Sequence, residues 1–182
     1  MLSSEEARQI FDNAEQIYSA AAVSETVQKM AVDITETLSE QCPLVLSVMG
    51  GAVVFTGQLL PLLEFPLNFD YLHVSRYNDK LKGGRVNWKV EPHTNVKDRV
   101  VLVLDDILDE GITLLNIKDE LKLMGARSIV TVVLFDKKIN IKKSTRADFV
   151  GLAVPNKYVY GFGLDFKDRG RNLPNLYSFN EK

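Results

Sequence analysis

The chain has 182 residues, of which 46% are hydrophobic and 25% charged, with a formal net charge of −2. Such a length suits one domain, and it can bury roughly two-thirds of its unfolded surface without a disulfide or metal staple. The slight acidity carries no basic nucleic-acid footprint, and the single cysteine, Cys42, excludes an intramolecular disulfide and a four-cysteine zinc site.

The predicted elements begin with two helices that form a covering layer over residues 1–40. The first starts at a capping box, Ser3 with Glu6, and continues through Ile10, Ala14, Ile17 and Tyr18. The second follows Ser24, with Val27, Met30, Ala31, Ile34 and Leu38 on one stripe. This acidic start lacks the layout of a signal peptide, and no apolar run approaches about 18 residues, so a cytoplasmic protein with no membrane span is expected.

From Pro43 the rhythm changes. Residues 43–48 form a short apolar run ending in Met49-Gly50-Gly51, and Cys42 before it is expected as a buried core thiol. A helical pattern reaches Leu63, and residues 67–74 read as a strand. The clearest strand is 99–104, apolar on both faces as in a parallel sheet, followed by a helix to Gly125 and another strand over 128–135. Tight strand–helix–strand spacing predicts right-handed βαβ units in a 43–136 core, with ligands at the carboxyl ends of the strands. The loops after Val48, Leu104 and Phe135 should therefore share one crevice. Residues 149–182, broken by Pro155, Gly161 and Gly163, suggest a small irregular lobe instead of another βαβ unit. Between Ser75 and Val86, two glycines and five charged residues predict a mobile polar loop, or a plain hairpin loop joining two edge strands. His73 is expected as a strand residue and His93 at the surface.

The segment after the clearest strand carries the chemistry: Asp105-Asp106-Ile107-Leu108-Asp109-Glu110-Gly111-Ile112-Thr113. Backbone N–H groups at a helix start bind phosphate, Gly111 permits close approach, and the Thr113 hydroxyl adds a donor. Asp105 and Asp106 have the opposite polarity. They can accept from a vicinal diol or hold a hydrated divalent cation. One loop thus offers a 5-phosphate site beside a ribose site. It is neither a Walker loop nor a dinucleotide fingerprint.

This segment resembles the phosphoribosyl-pyrophosphate (PRPP) motif of the type I phosphoribosyltransferases. The resemblance narrows to the hypoxanthine-guanine enzymes and spans about residues 44–174. Val48-Met49-Gly50-Gly51 looks like their pyrophosphate loop, Leu134-Phe135-Asp136-Lys137 like their base-contacting lysine segment, and Asn156 to Asp165, with Arg171-Asn172-Leu173-Pro174, like their purine hood.

The resemblance implies one α/β domain over 1–182, with a central parallel sheet flanked by helices, a lid including Ser75, Arg76 and Tyr77, and a C-terminal hood. It implies transfer of the 5-phosphoribosyl group from PRPP to hypoxanthine or guanine, giving IMP or GMP plus pyrophosphate. Asp109 would be the base near purine N7, and Lys137 would donate to O6. Tyr158 would stack on the ring, and the Val159 carbonyl would accept from the 2-amino group of guanine. Met49, Gly50, Gly51, Asp105, Asp106, Asp109, Glu110, Gly111, Ile112, Thr113 and Arg171 would hold PRPP. Asp165 would bind Mg²⁺ beside the purine, with Asp105 and Asp106 in its water shell. The partners implied are PRPP and a 6-oxopurine, with no nucleic acid or membrane, in a homodimer or homotetramer. A xanthine preference, an RNA-binding regulator on the same fold and a catalytically dead subunit are the alternatives.

Two positions depart from the family pattern, which commonly has Lys at Met49 and often Thr at Glu110. A carboxylate at ~6 Å from a phosphate charge would be repelled by about 3 kcal/mol at an effective dielectric near 20. The Glu110 side chain should therefore turn away and contribute only its N–H.

Overall fold

The structure, a computed structural model, describes residues 3–76 and 86–179. The chain begins with helix α1 (Ser4–Asp12), whose N-terminus is closed by the expected box: Ser3 Oγ accepts from the Glu6 amide and the Glu6 carboxylate from the Ser3 amide. The helix stops there. Glu15–Tyr18 is strand β1 instead of a continuing helix. Ile10, Ala14, Ile17 and Tyr18 do fit a helical period, but β1 pairs with the far C-terminus. Helix α2 (Ala20–Leu38) starts earlier than expected, capped by Ser19, and buries the expected stripe together with Val23. At Cys42 the backbone takes φ +43°, and the side chain is exposed, so it is not a core thiol.

The core elements follow in chain order: strand β2 (Leu44–Met49), helix α3 (Val53–Leu59), strand β3 (Asn68–Arg76), strand β4 (Val86–Val90), strand β5 (Val100–Leu108), helix α4 (Ile112–Leu123), strand β6 (Ser128–Lys137) and strand β7 (Phe149–Val154), of which β7 was not expected in the core and β4 only as one edge of a hairpin. Strands β8 (Tyr158–Tyr160) and β9 (Leu176–Phe179) follow. The main sheet has the order β4-β3-β2-β5-β6-β7, and every neighbour pair is parallel except β3 with β4.

The β5 side chains explain the sandwich. Leu102 and Leu104 pack with α2 and α3 on one face, and Val101 and Val103 pack with the α4 side chains Leu114, Ile117 and Leu121 on the other. Buried on both faces, β5 reads as an unbroken apolar run. It extends past the predicted end, through both acids to Leu108.

The C-terminal region divides differently from expectation. Phe149–Val154 is a parallel edge strand of the main sheet, reached from β6 without a helix, and not part of the small lobe. That lobe is a three-stranded sheet of order β1-β9-β8, antiparallel throughout. The Tyr18 hydroxyl donates to the Ala153 carbonyl at 2.7 Å, and the Ala20 amide to Asn175 Oδ1 at 2.7 Å, which ties the lobe to β7 and α2. Phe11, Tyr160, Phe166 and Tyr177 form its aromatic interior, where burial pushes the Tyr160 hydroxyl up to about 12.

Candidate functional site

The carboxyl ends of β2, β5 and β6 open into one cleft of about 550 Å³, roofed by the small lobe. Met49, Gly50, Gly51, Asp105, Asp106, Asp109, Gly111, Thr113, Lys137, Tyr158, Val159, Asp165 and Arg171 all line it. Glu110 and Ile112 are the PRPP-loop residues that do not. Ser75 and Arg76 end β3, while Tyr77 and most of the expected lid segment lie outside the described residues.

The β5 end builds the acidic half. Asp105 is buried, and its Oδ1 accepts from the Asp106 amide at 3.0 Å. Asp106 Oδ1 accepts from the Ile107 amide at 2.7 Å. Loss of water around the Asp106 carboxyl outweighs the help of Asp105, the Ile107 amide and Arg171, and pushes its pKa up. Gly51 explains how that carboxyl fits: a Cβ there would overlap Asp106 Oδ2 and come within 3.4 Å of Arg171 Nη1. Gly163, at φ +97°, brings the lobe onto the same loop, since its Cβ would strike the Gly51 carbonyl oxygen. The Met49–Gly50 peptide is cis.

The start of α4 builds another side of the cleft. Gly111, at φ +80°, caps α4 with its backbone and no side-chain cap, and Thr113 stands in the first turn of the helix. The strap over residues 138–148 backs this turn. The Ser144 amide donates to the Glu110 carbonyl at 2.9 Å, and a Cβ on Gly111 would sit 3.0 Å from the Thr145 nitrogen.

The β6 end supplies the cation. Lys137 Nζ donates to Asp109 Oδ2 at 3.1 Å, with the lysine side chain 16% exposed and the aspartate 31%. Neither residue is a free surface group. Across the cleft, Arg171 pairs with Asp165 at 2.6 Å and donates to the Gly163 carbonyl at 2.7 Å, while the Asp168 amide donates to Asp165 Oδ2 at 2.9 Å. Tyr158 is 51% exposed at the mouth, edge-on to Phe166, and Val159 beside it is buried. Burial, followed by the nearby Asp165 charge, raises the Tyr158 hydroxyl pKa.

Sequence reasoning gave no site role to several cleft residues, His73, Val74, Leu114 and Leu164 among them. His73 lies in β3 as expected, but it also lines the cleft, in register with Met49. Leu164 lines it from the lobe. Only the strand register could have revealed the first. His93 is exposed, as expected, edge-on to Tyr71. Among the described residues, no cluster of three or more His, Cys, Asp or Glu forms a protein-only metal cage, and no helix is long and apolar enough to cross a membrane.

This fold, with acids at a strand end, a glycine-capped helix start beside them and a glycine loop, is that of a phosphoribosyltransferase. The phosphoribosyl transferase domain family matches residues 13–167, and the chain belongs to that family. Within it, the chain is 33% identical over 159 residues to the hypoxanthine-guanine phosphoribosyltransferase of Bacillus subtilis, covering 87% of this chain and 88% of the relative. It is 32% identical over 167 residues to the hypoxanthine-guanine-xanthine phosphoribosyltransferase of Tritrichomonas foetus, covering 91% of each. The crystal structure of a hypoxanthine-guanine phosphoribosyltransferase from Bacillus anthracis superposes with a TM-score of 0.86 at 26% identity, covering 91% of this chain and 98% of that one.

Proposed function

We infer that the chain transfers the 5-phosphoribosyl group from PRPP to hypoxanthine or guanine, releasing pyrophosphate and serving purine salvage. The observation that carries the purine assignment is the Asp109–Lys137 pair, an acceptor and a donor 3.1 Å apart at adjacent strand ends. A 6-oxopurine presents O6 and N7 side by side on one edge. Lys137 suits O6, and Asp109 suits the proton on N7.

In this reading, the Gly111–Thr113 turn takes the 5-phosphate and Asp105 and Asp106 accept from the ribose hydroxyls. The Gly50 and Gly51 amides, with Arg171, face the departing pyrophosphate. A positively charged ribose ring develops as the C1–oxygen bond breaks. Asp109 then holds the purine proton as the new C1–nitrogen bond forms. Tyr158 covers the ring, and the Val159 carbonyl accepts from a 2-amino group.

A divalent cation fits the donor set. Asp105, Asp106 and Asp165 line one cleft and offer hard oxygens, and Mg²⁺ takes one or two carboxylates and completes its shell with phosphate oxygens and water. Bound there, Mg²⁺ would neutralise charge on the leaving pyrophosphate. Asp165 would hold it directly, with Asp105 and Asp106 reaching it through water.

A cytoplasmic setting and a homodimeric or homotetrameric assembly are part of the same proposal. Exposed Phe69 and Tyr71, alternate residues on one face of β3, support self-association. The test of the function is pyrophosphate release with GMP formation from PRPP, guanine and Mg²⁺. Release that does not depend on a purine would contradict the reading.

A further inference from the structure

The connection from β6 to β7 does more than cross the sheet edge. Lys143, 16% exposed, sends its ammonium to two acceptors, the Leu108 carbonyl at 2.6 Å and Asp136 Oδ1 at 2.6 Å. Leu108 and Asp136 are register partners on β5 and β6. Each immediately precedes one member of the Asp109–Lys137 pair. The next residue, Ser144, donates its amide to the Glu110 carbonyl, on the other side of Asp109. Two consecutive strap residues therefore fasten the backbone on both sides of Asp109, and the first of them also fastens the residue before Lys137.

Energetics favour a fixed arrangement. A largely buried ammonium is tolerated only where its donors are satisfied, and losing one such partner is costly. Burial alone would raise the Asp136 carboxyl, but hydrogen bonds from Lys138 and Lys143 overcome it and hold Asp136 below the usual carboxylate range. Asp136 therefore stays ionised at neutral pH.

We propose that Lys143 is a positioning residue for the Asp109–Lys137 pair, joining the two strand ends from which the base and the O6 donor project. This rests on the functional reading above and adds to it a residue that touches no substrate. A misplacement of about 1 Å can cost about a hundredfold in rate. The phosphate turn should suffer less, because the Ser144–Glu110 bond uses backbone alone.

The experiment compares wild type with Lys143→Met. Kinetics are measured with guanine and adenine, PRPP binding is measured by calorimetry without purine, and folding is measured by thermal melting. The proposal predicts a kcat with guanine lower by about tenfold to a hundredfold, a reduced guanine-over-adenine ratio, and a PRPP Kd within about threefold of wild type. An unchanged kcat overturns it. So does a Kd that weakens as much as kcat falls, since Lys143 would then support the phosphate turn instead. If Lys143→Met does not fold, Asp136→Asn carries the test, because it keeps an oxygen acceptor while removing the charge that holds the ammonium. It must lower kcat by about threefold or more at unchanged PRPP Kd, and an unchanged kcat overturns the proposal. Wild-type protein that makes no nucleotide from any 6-oxopurine overturns the functional reading, and this proposal with it.

Discussion

Replacing Lys137 with Met removes one ammonium and keeps the bulk of the side chain. That ammonium stands 3.1 Å from Asp109 at the end of a side chain only 16% exposed, so few water molecules can replace it. A hydrogen bond to a charged group contributes about 1.5–3 kcal/mol, which is about 10- to 150-fold in kcat/KM at 1.36 kcal/mol per decade. Guanine and hypoxanthine should therefore lose about that factor together, since both present O6. Adenine presents an amino donor at the same place. The wild-type site should reject it by about 10⁴-fold, as sites built around matched hydrogen bonds reject mismatches. In Lys137→Met that clash disappears, so the lead over adenine should shrink to about 10²- to 10³-fold. Xanthine sets O2 against the Val159 carbonyl, acceptor against acceptor, and should be poorer than guanine in both proteins. The assay is kcat/KM for the four purines with saturating PRPP. Adenine used as well as guanine by the wild type, or full discrimination retained by the variant, would refute the reasoning.

Three further outcomes follow from the same geometry. Asp109→Asn should fold and slow turnover by about 10²-fold or more, with PRPP binding changed less; unchanged single-turnover chemistry would remove Asp109 as the base. Excess chelator should abolish turnover, and Asp165→Ala should raise the Mg²⁺ concentration needed for half-maximal rate; full activity in chelator contradicts the metal assignment. Asp106 has a raised carboxyl pKa in the fold, because burial outweighs its hydrogen bonds and Arg171. An acid of this kind stabilises the fold while protonated, and that stability is lost as pH climbs from about 4, the ordinary value, through the raised one. Without ligand at pH 7, Asp106→Asn should therefore melt above the wild type, with the gap closing below about pH 4, while PRPP binds more weakly. A lower melting temperature at pH 7 would contradict this.

Much of the site was legible because its residues are contiguous. The doubly buried β5, the acids at its end and the Gly111 turn stand in one run, and the run carries its own mechanism. The Gly50-Gly51 loop was legible for the same reason, although the overlap that demands Gly51 involves Asp106, 55 positions away by numbering (106 − 51). What stayed hidden depends on distant partners. Residues 15–18 fit a helical period, and only pairing with Leu176–Phe179 makes them a strand. Phe149–Val154 looked like lobe because Pro155, Gly161 and Gly163 break up the segment it opens, yet its register with β6 places it in the main sheet. Cys42 looked like core from the apolar run beside it, but the backbone turns at that residue. Lys143 gives no local signal in the sequence that its ammonium reaches Leu108 and Asp136. His73 entered the cleft through its register with Met49.

The central claim, a 6-oxopurine phosphoribosyltransferase, is tested most directly by nucleotide formation from PRPP and Mg²⁺ with hypoxanthine, guanine, xanthine, adenine and uracil in parallel. The account predicts IMP and GMP with stoichiometric pyrophosphate, weaker use of xanthine, and rates with adenine about 10⁴-fold lower. Nucleotide formed from adenine or uracil as fast as from hypoxanthine, or from none of the five, would contradict it.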